Sequence, residues 1–194
     1  VVMRKHGAMS PTDEDCERGR LEAAWESFEC PDGLVAQCFG GAIVMEVHPR
    51  TLHDLPIRTM VRQAWPRLEA WGECGLDCGA DGKPRADVVF ARPDDIDLAW
   101  EDWPAGAVQG VCEVISPSSK NHDRRIKAEI YARARIPVYL IVDPTQGLWE
   151  IFTLGPADAY QLVGKGGFGE PCELPLPAGA VVVDTTAWRP YSST

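Results

Sequence analysis

Ala86-Asp87-Val88-Val89-Phe90-Ala91 is an apolar run broken by one acid, and Ala107 to Ile115 is a second such run, broken by Gln109 and Glu113. Both patterns predict buried strands. Ser116-Pro117-Ser118-Ser119 closes the second strand and caps a helix from about Asn121 to Ala134. Ile136-Pro137 ends that helix before the apolar strand Val138 to Val142. A strand, helix, strand order of this kind predicts a parallel crossover. The turn Asp143-Pro144-Thr145-Gln146-Gly147 then leads into Leu148 to Leu154, which predicts an antiparallel edge.

A carboxylate inside an otherwise apolar strand is costly to bury, so it sits at a strand end, pairs with a partner or binds a cation. Asp87 and Glu113 are two such acids. If their strands are neighbours they offer the hard oxygen ligands that Mg²⁺ or Mn²⁺ prefers; otherwise each is an exposed strand-end acid. On the following helix Asp123, Lys127 and Tyr131 fall at i, i+4 and i+8, bordered by Ile126, Ile130 and Ala134. Lys127 therefore lies at the edge of the buried face. It either reaches the strand end carrying Glu113, where it positions a water and stabilises charge on a phosphate, or forms a surface pair with Asp123.

Upstream, Ser10-Pro11-Thr12 and the acids Asp13, Glu14 and Asp15 open a helix that runs to about Phe28. Leu34 to Cys38 and Ala42 to Val47, parted by Gly40-Gly41, read as a hairpin. From Thr51 to Trp71 apolar residues recur at helical intervals, with Pro56 and Pro66 bending or breaking the helix. Gly72 to Pro84 reads as loop, and the acidic segment Arg92 to Gly106 as a solvated loop. The tail offers strands at Tyr160 to Val163 and Ala180 to Val183.

Taken in order, Ala86-Asp87-Val88-Val89, Cys112-Glu113-Val114-Ile115-Ser116-Pro117-Ser118, the Asp123, Lys127, Tyr131 stripe and Pro137 to Pro144 resemble the Uma-two family of restriction endonucleases, in the PD-(D/E)XK nuclease superfamily. The resemblance spans Asp87 to Asp143 and implies an α/β fold, a restriction-endonuclease-like mixed central sheet flanked by helices (αβββαβ core) with an N-terminal helix and hairpin. It further implies a metal-dependent endonuclease acting on DNA, with Asp87, Glu113 and the backbone carbonyl of Val114 holding Mg²⁺ (or Mn²⁺). Catalysis falls to Asp87, Glu113 and Lys127, with Asp123 holding Lys127 and Tyr131 adding a hydrogen bond or packing. His53 looks like the family's helix-opening histidine and a supporting site residue, and Glu22 or Glu26 matches an acid on the first helix. A homodimer is the expectation from nucleases that cut two strands with two subunits.

Three departures stand beside this resemblance. Ala86 occupies the family's usual proline position. Ile115 stands where the superfamily places a lysine, which has moved to Lys127, or to Lys120. The acidic loop Arg92 to Gly106 would repel a phosphate backbone.

Composition bounds these readings. The chain has 194 residues and lacks the run of about 18 apolar residues a membrane helix needs. One restriction-endonuclease-like domain over residues 10–190, with an extension at 1–9, accounts for its length. Val1-Val2-Met3-Arg4-Lys5-His6 leads into polar and acidic residues, not an apolar signal core, and seven scattered cysteines suit reduced thiols, so a cytoplasmic location is expected. Cys74 and Cys78 resemble half a zinc site without a second ligand pair. A net charge of −10 opposes nucleic-acid binding by bulk electrostatics. The second reading is thus a nuclease-like scaffold that has lost turnover and serves as a binding or interaction module; a third keeps the chemistry but acts on RNA or on branched or single-stranded DNA.

Overall fold

The computed structural model describes residues 11–31, 34–47, 51–66, 68–116 and 122–191, with the side chains at 11–18, 35, 46, 47, 51, 122 and 123 excepted. Helix α1 (Pro11–Glu26) precedes the hairpin β1 (Leu34–Phe39) and β2 (Ala42–Val47). Gly40 and Gly41 turn this hairpin with φ of 57° and 73°, the left-handed pair a tight two-residue turn requires. Helix α2 (Thr51–Ala64) follows, then β3 (Glu69–Asp77), the short β4 (Gly82–Lys83) and β5 (Arg85–Ala91). After β6 (Asp102–Pro104) and β7 (Val108–Val114), a π-helical segment His122–Lys127 continues as α3 (Ala128–Arg133). The chain ends with β8 (Val138–Asp143), β9 (Leu148–Leu154), β10 (Tyr160–Gly167), β11 (Cys172–Leu174) and β12 (Val181–Val183).

Seven strands form the central mixed sheet in the order β10-β9-β8-β7-β5-β3-β6. The crossover from β7 through α3 to β8 is parallel, whereas β8 to β9 is antiparallel, as the sequence predicts; β10, not β9, makes the edge. One face of the sheet packs Val88, Phe90, Cys112 and Val114 against Ile57, Met60 and Ala64 of α2 and against Leu174, Val183 and Trp188 of the C-terminal segment. The other packs Val89, Val111 and Ile141 against Phe39 of the hairpin and Ile130 and Tyr131 of α3. Both faces are covered, which is why β7 and β8 read as almost unbroken apolar runs. Gly110 lets the C-terminal segment close on the sheet: a Cβ there would lie 2.6 Å from Leu176 Cδ2 and 3.2 Å from the Val138 carbonyl.

Four segments differ from expectation. The helix read over Thr51 to Trp71 stops at Ala64, because Pro66 has no N–H to extend it and disfavours helical backbone at Trp65; Pro56 is accommodated inside it. The segment Gly72 to Pro84, read as loop, lies largely in β3 and β4. Its glycines hide the strand and serve it: a Cβ on Gly72 would stand 3.1 Å from Ile57 Cγ2, and one on Gly75 would stand 2.1 Å from Asp102 Oδ1. Part of the acidic loop becomes β6, which buries Trp103 and pairs in parallel with β3. In the tail, β10 runs on to Gly167, and β11 forms where the sequence offers no strand pattern. No helix among the described residues is long and apolar enough to cross a membrane.

Candidate active site

Strand pairing brings three acids into one row. In the antiparallel pair β5 and β7, Val88 stands opposite Cys112 and Val89 opposite Val111, so the next pair out is Asp87 with Glu113. On the other side of β5, Gly72 opposes Val88 and Cys74 opposes Ala86, which leaves Glu73 opposite Asp87. Glu73, Asp87 and Glu113 thus occupy neighbouring positions on β3, β5 and β7. This row lies where β7 and β8, the parallel pair, end, the position at which α/β sheets commonly place their sites.

Glu113 is buried, with 1% of its surface exposed. Such a carboxylate survives only if its oxygens are bonded. Lys127 Nζ donates to Oε2 at 2.9 Å and Tyr131 Oη donates to Oε1 at 2.6 Å. Lys127 is itself 2% exposed, donates to the Arg85 carbonyl at 2.7 Å and stands 5.9 Å from the Phe39 ring centroid. Burial, followed by the charge and hydrogen bond of Glu113, pushes the Tyr131 hydroxyl well above its ordinary range, so it remains a donor. Lys127 therefore reaches Glu113 rather than forming a surface pair. The i, i+4 spacing of Lys127 and Tyr131 puts both on one carboxylate, just where the π-helical turn gives way to α-helix.

Asp87 is held from two sides. Its Oδ2 accepts the Val114 N–H at 2.6 Å, and its Oδ1 stands 3.4 Å from His53 Nε2. Burial would raise this carboxyl, but the His53 hydrogen bond and charge, the Lys127 charge and the Val114 N–H hold it below its ordinary value. For His53, burial lowers the basicity, yet the Asp87 bond and charge, with Glu73 and Asp54, outweigh it and leave the imidazole more basic than usual. The second ring nitrogen of His53, Nδ1, lies 3.4 Å from the Tyr191 hydroxyl.

Glu73 is the residue that sequence reasoning passed over. Its backbone takes φ of 60°, and Arg85 Nε donates to its Oε2 at 3.2 Å. Arg85 also ties the row to the hairpin, since its N–H donates to Gln37 Oε1 at 2.9 Å. An acid on a strand next to Asp87 is a usable signal, but only once β3 is recognised and its register with β5 known.

The donor chemistry fits a divalent cation. One ligand atom from each of His53, Glu73 and Asp87 lies within 4.8 Å of the others, the one such group among the described residues. The π-helical segment contains Asp123, whose side chain lies outside the described residues, as does all of Lys120. Glu22 and Glu26 are exposed on α1 and stand outside this donor group. Cys74 and Cys78 are buried free thiols pushed up by burial to about 11 and about 12, and neither belongs to a group of metal-ligating side chains among the described residues.

A family model described as "Putative restriction endonuclease", Uma2, matches residues 26–184. The chain belongs to the Uma2 family. A crystal structure from Anabaena variabilis ATCC 29413, titled a "putative nuclease belonging to DUF820", superposes with a TM-score of 0.59 at 14% identity, over 81% of this chain and 89% of that one. That likeness is one of fold. No curated protein matches the chain. The Uma2 match covers every acid of the β3, β5, β7 row, the π-helical turn and the Arg124, Asp143 and Glu150 network behind it.

Proposed function

We propose that this Uma2 protein is a divalent-cation-dependent endonuclease that hydrolyses phosphodiester bonds in DNA, with Asp87, Glu113 and Lys127 as its catalytic residues. One observation carries the reading: a buried lysine and a buried glutamate, paired at 2.9 Å, sit beside an aspartate on the adjoining strand. Burying such a pair costs more than an apolar pair of similar size would, so stability alone is a poor reason for it.

Asp87, Glu113 and the carbonyl of Val114 hold the cation in this reading. A cation there supplies Lewis acidity, polarising a phosphoryl oxygen and making water a nucleophile near neutral pH. Lys127 orients the attacking water and stabilises charge growing on the phosphate. Tyr131 fixes Glu113, the Val114 N–H fixes Asp87, and His53 supports Asp87 from the α2 side. Mg²⁺ or Mn²⁺ serves as the cation, and two copies of the chain act together on duplex DNA.

The second reading, a binding or interaction module without turnover, draws on the charge of −10. Calorimetry with Mn²⁺ separates the two. The nuclease reading expects binding by the wild type at millimolar or lower Mn²⁺ and loss of it in Asp87→Ala and Glu113→Ala. No binding at millimolar Mn²⁺ favours the module.

A further inference from the structure

Resting on that reading of Asp87 as a cation ligand, we infer that His53 and Glu73 join Asp87 as direct ligands, making this a mixed nitrogen and oxygen site that favours Mn²⁺ and later transition ions over Mg²⁺.

The first support is spacing. Charge-assisted hydrogen bonds close to about 2.8 Å, yet His53 Nε2 and Asp87 Oδ1 stand 3.4 Å apart in a nearly closed environment, with 9% and 17% of their side chains exposed. Ligand atoms about 2.1 Å from a six-coordinate ion lie about 3 Å apart when adjacent and about 4.2 Å apart when opposite. The His53–Asp87 separation of 3.4 Å falls in that range, and a Glu73 oxygen lies within 4.8 Å of both atoms.

The second support is how each group is aimed. Asp87 Oδ2 accepts the Val114 N–H, which turns Oδ1 towards His53. His53 meets the Tyr191 hydroxyl at 3.4 Å through Nδ1, which leaves Nε2 on the Asp87 side. A polar partner on the far nitrogen is the usual companion of a ligating histidine, because it fixes ring orientation and tautomer. Glu73 is steered by Arg85, whose carbonyl is the one Lys127 grips. Glu113, with Lys127 and Tyr131 on its oxygens, lies on the opposite flank of Asp87 from Glu73.

The third support is ligand chemistry. Mg²⁺ takes oxygen donors and dehydrates reluctantly, whereas an imidazole raises affinity for transition ions in the order Mn²⁺, Fe²⁺, Co²⁺ and beyond. His53 therefore changes which ion the Asp87 site retains.

The test uses the full chain loaded with Mn²⁺ and read by electron spin-echo envelope modulation. Bound Mn²⁺ is expected to show ¹⁴N modulation from one imidazole, which His53→Gln abolishes while Mn²⁺ stays bound. Glu73→Gln, at a side chain 40% exposed, is expected to weaken Mn²⁺ binding by at least about the 10-fold that loss of an outer-shell partner costs, with the ¹⁴N signal retained. Bound Mn²⁺ without ¹⁴N modulation, or Mn²⁺ affinity unchanged in Glu73→Gln, overturns this inference and leaves the Asp87 and Glu113 reading standing. Mn²⁺ that binds no better to the wild type than to Asp87→Asn overturns both.

Discussion

Lys127 Nζ lies 2.9 Å from Glu113 Oε2, and neither side chain exposes more than 3% of its surface. Removing one partner leaves the other as an unpaired buried charge. Lys127→Met is therefore expected to cost about 3–5 kcal/mol of stability. Adding Glu113→Gln to it should recover about 1–3 kcal/mol, since the stranded carboxylate is gone. Urea denaturation of both single variants and the double variant measures this coupling, and strictly additive losses would show that the pair does not interact.

Tyr131 should matter through its hydroxyl. Its Oη donates to Glu113 Oε1 at 2.6 Å inside the core. Tyr131→Phe keeps the ring, including its edge contact with Tyr139 at 5.6 Å between centroids, and removes a hydrogen bond to a charged group. The expected loss is about 1.5–3 kcal/mol by chemical denaturation. A variant as stable as the wild type would mean that Glu113 does not depend on this donor.

Asp87, Glu113 and Lys127, the proposed catalytic residues, are visible in the sequence because each breaks a pattern. Asp87 and Glu113 are lone charges in apolar strands and Lys127 borders an apolar helix stripe, so the cost of burying a charge marks them as candidates, while the choice over exposed strand-end acids and a surface pair comes from the family resemblance. The parallel crossover is legible for a similar reason, since Pro137 and the apolar run after it set the helix end. Glu73 is not legible. Its strand carries Gly72 and Gly75, required by close neighbours on α2 and β6, so the local sequence mimics a loop. The spacing that places His53 beside Asp87 is tertiary, as is the contact of Tyr191 with His53, 138 residues away in the chain. The π-helical turn also leaves no pattern distinct from an α-helix.

Acid should loosen the end of the sheet behind the site. Arg124 donates to Asp143 Oδ2 at 3.0 Å and to Glu150 Oε2 at 2.5 Å, and Lys165 donates to Glu150 Oε1 at 2.9 Å. Burial would raise both carboxyls, but donors from Thr145, Arg124 and Gln146 hold Asp143 below its ordinary value, and Arg124 and Lys165 hold Glu150 below its own. Carboxyls depressed in the folded state contribute stability above the unfolded value of about 4, and that contribution is lost as pH falls through the folded values. Thermal denaturation from pH 7 down to pH 2 should show a steep loss below about pH 4. Asp143→Asn, less stable at pH 7, should show a shallower acid limb; an unchanged limb would remove Asp143 from the effect.

Gly110 is expected to resist any side chain. Because a Cβ would meet Leu176 Cδ2 at 2.6 Å and the Val138 carbonyl at 3.2 Å, Gly110→Ala should cost about 1–3 kcal/mol through overpacking. The damage should appear as faster amide exchange in the β11 and β12 hairpin, which Leu176 joins to the sheet. Exchange unchanged there would mean that the segment packs independently of Gly110.

The most direct measurement for the reading of this Uma2 protein is nicking of supercoiled plasmid DNA in Mn²⁺ by the wild type and by Asp87→Asn, Glu113→Gln and Lys127→Met, each first shown to be folded. The account predicts cutting by the wild type that stops when the cation is chelated, and a drop of at least about 100-fold in each variant. Equal cutting by the wild type and the three folded variants, or none by any of them at saturating Mn²⁺, would contradict it.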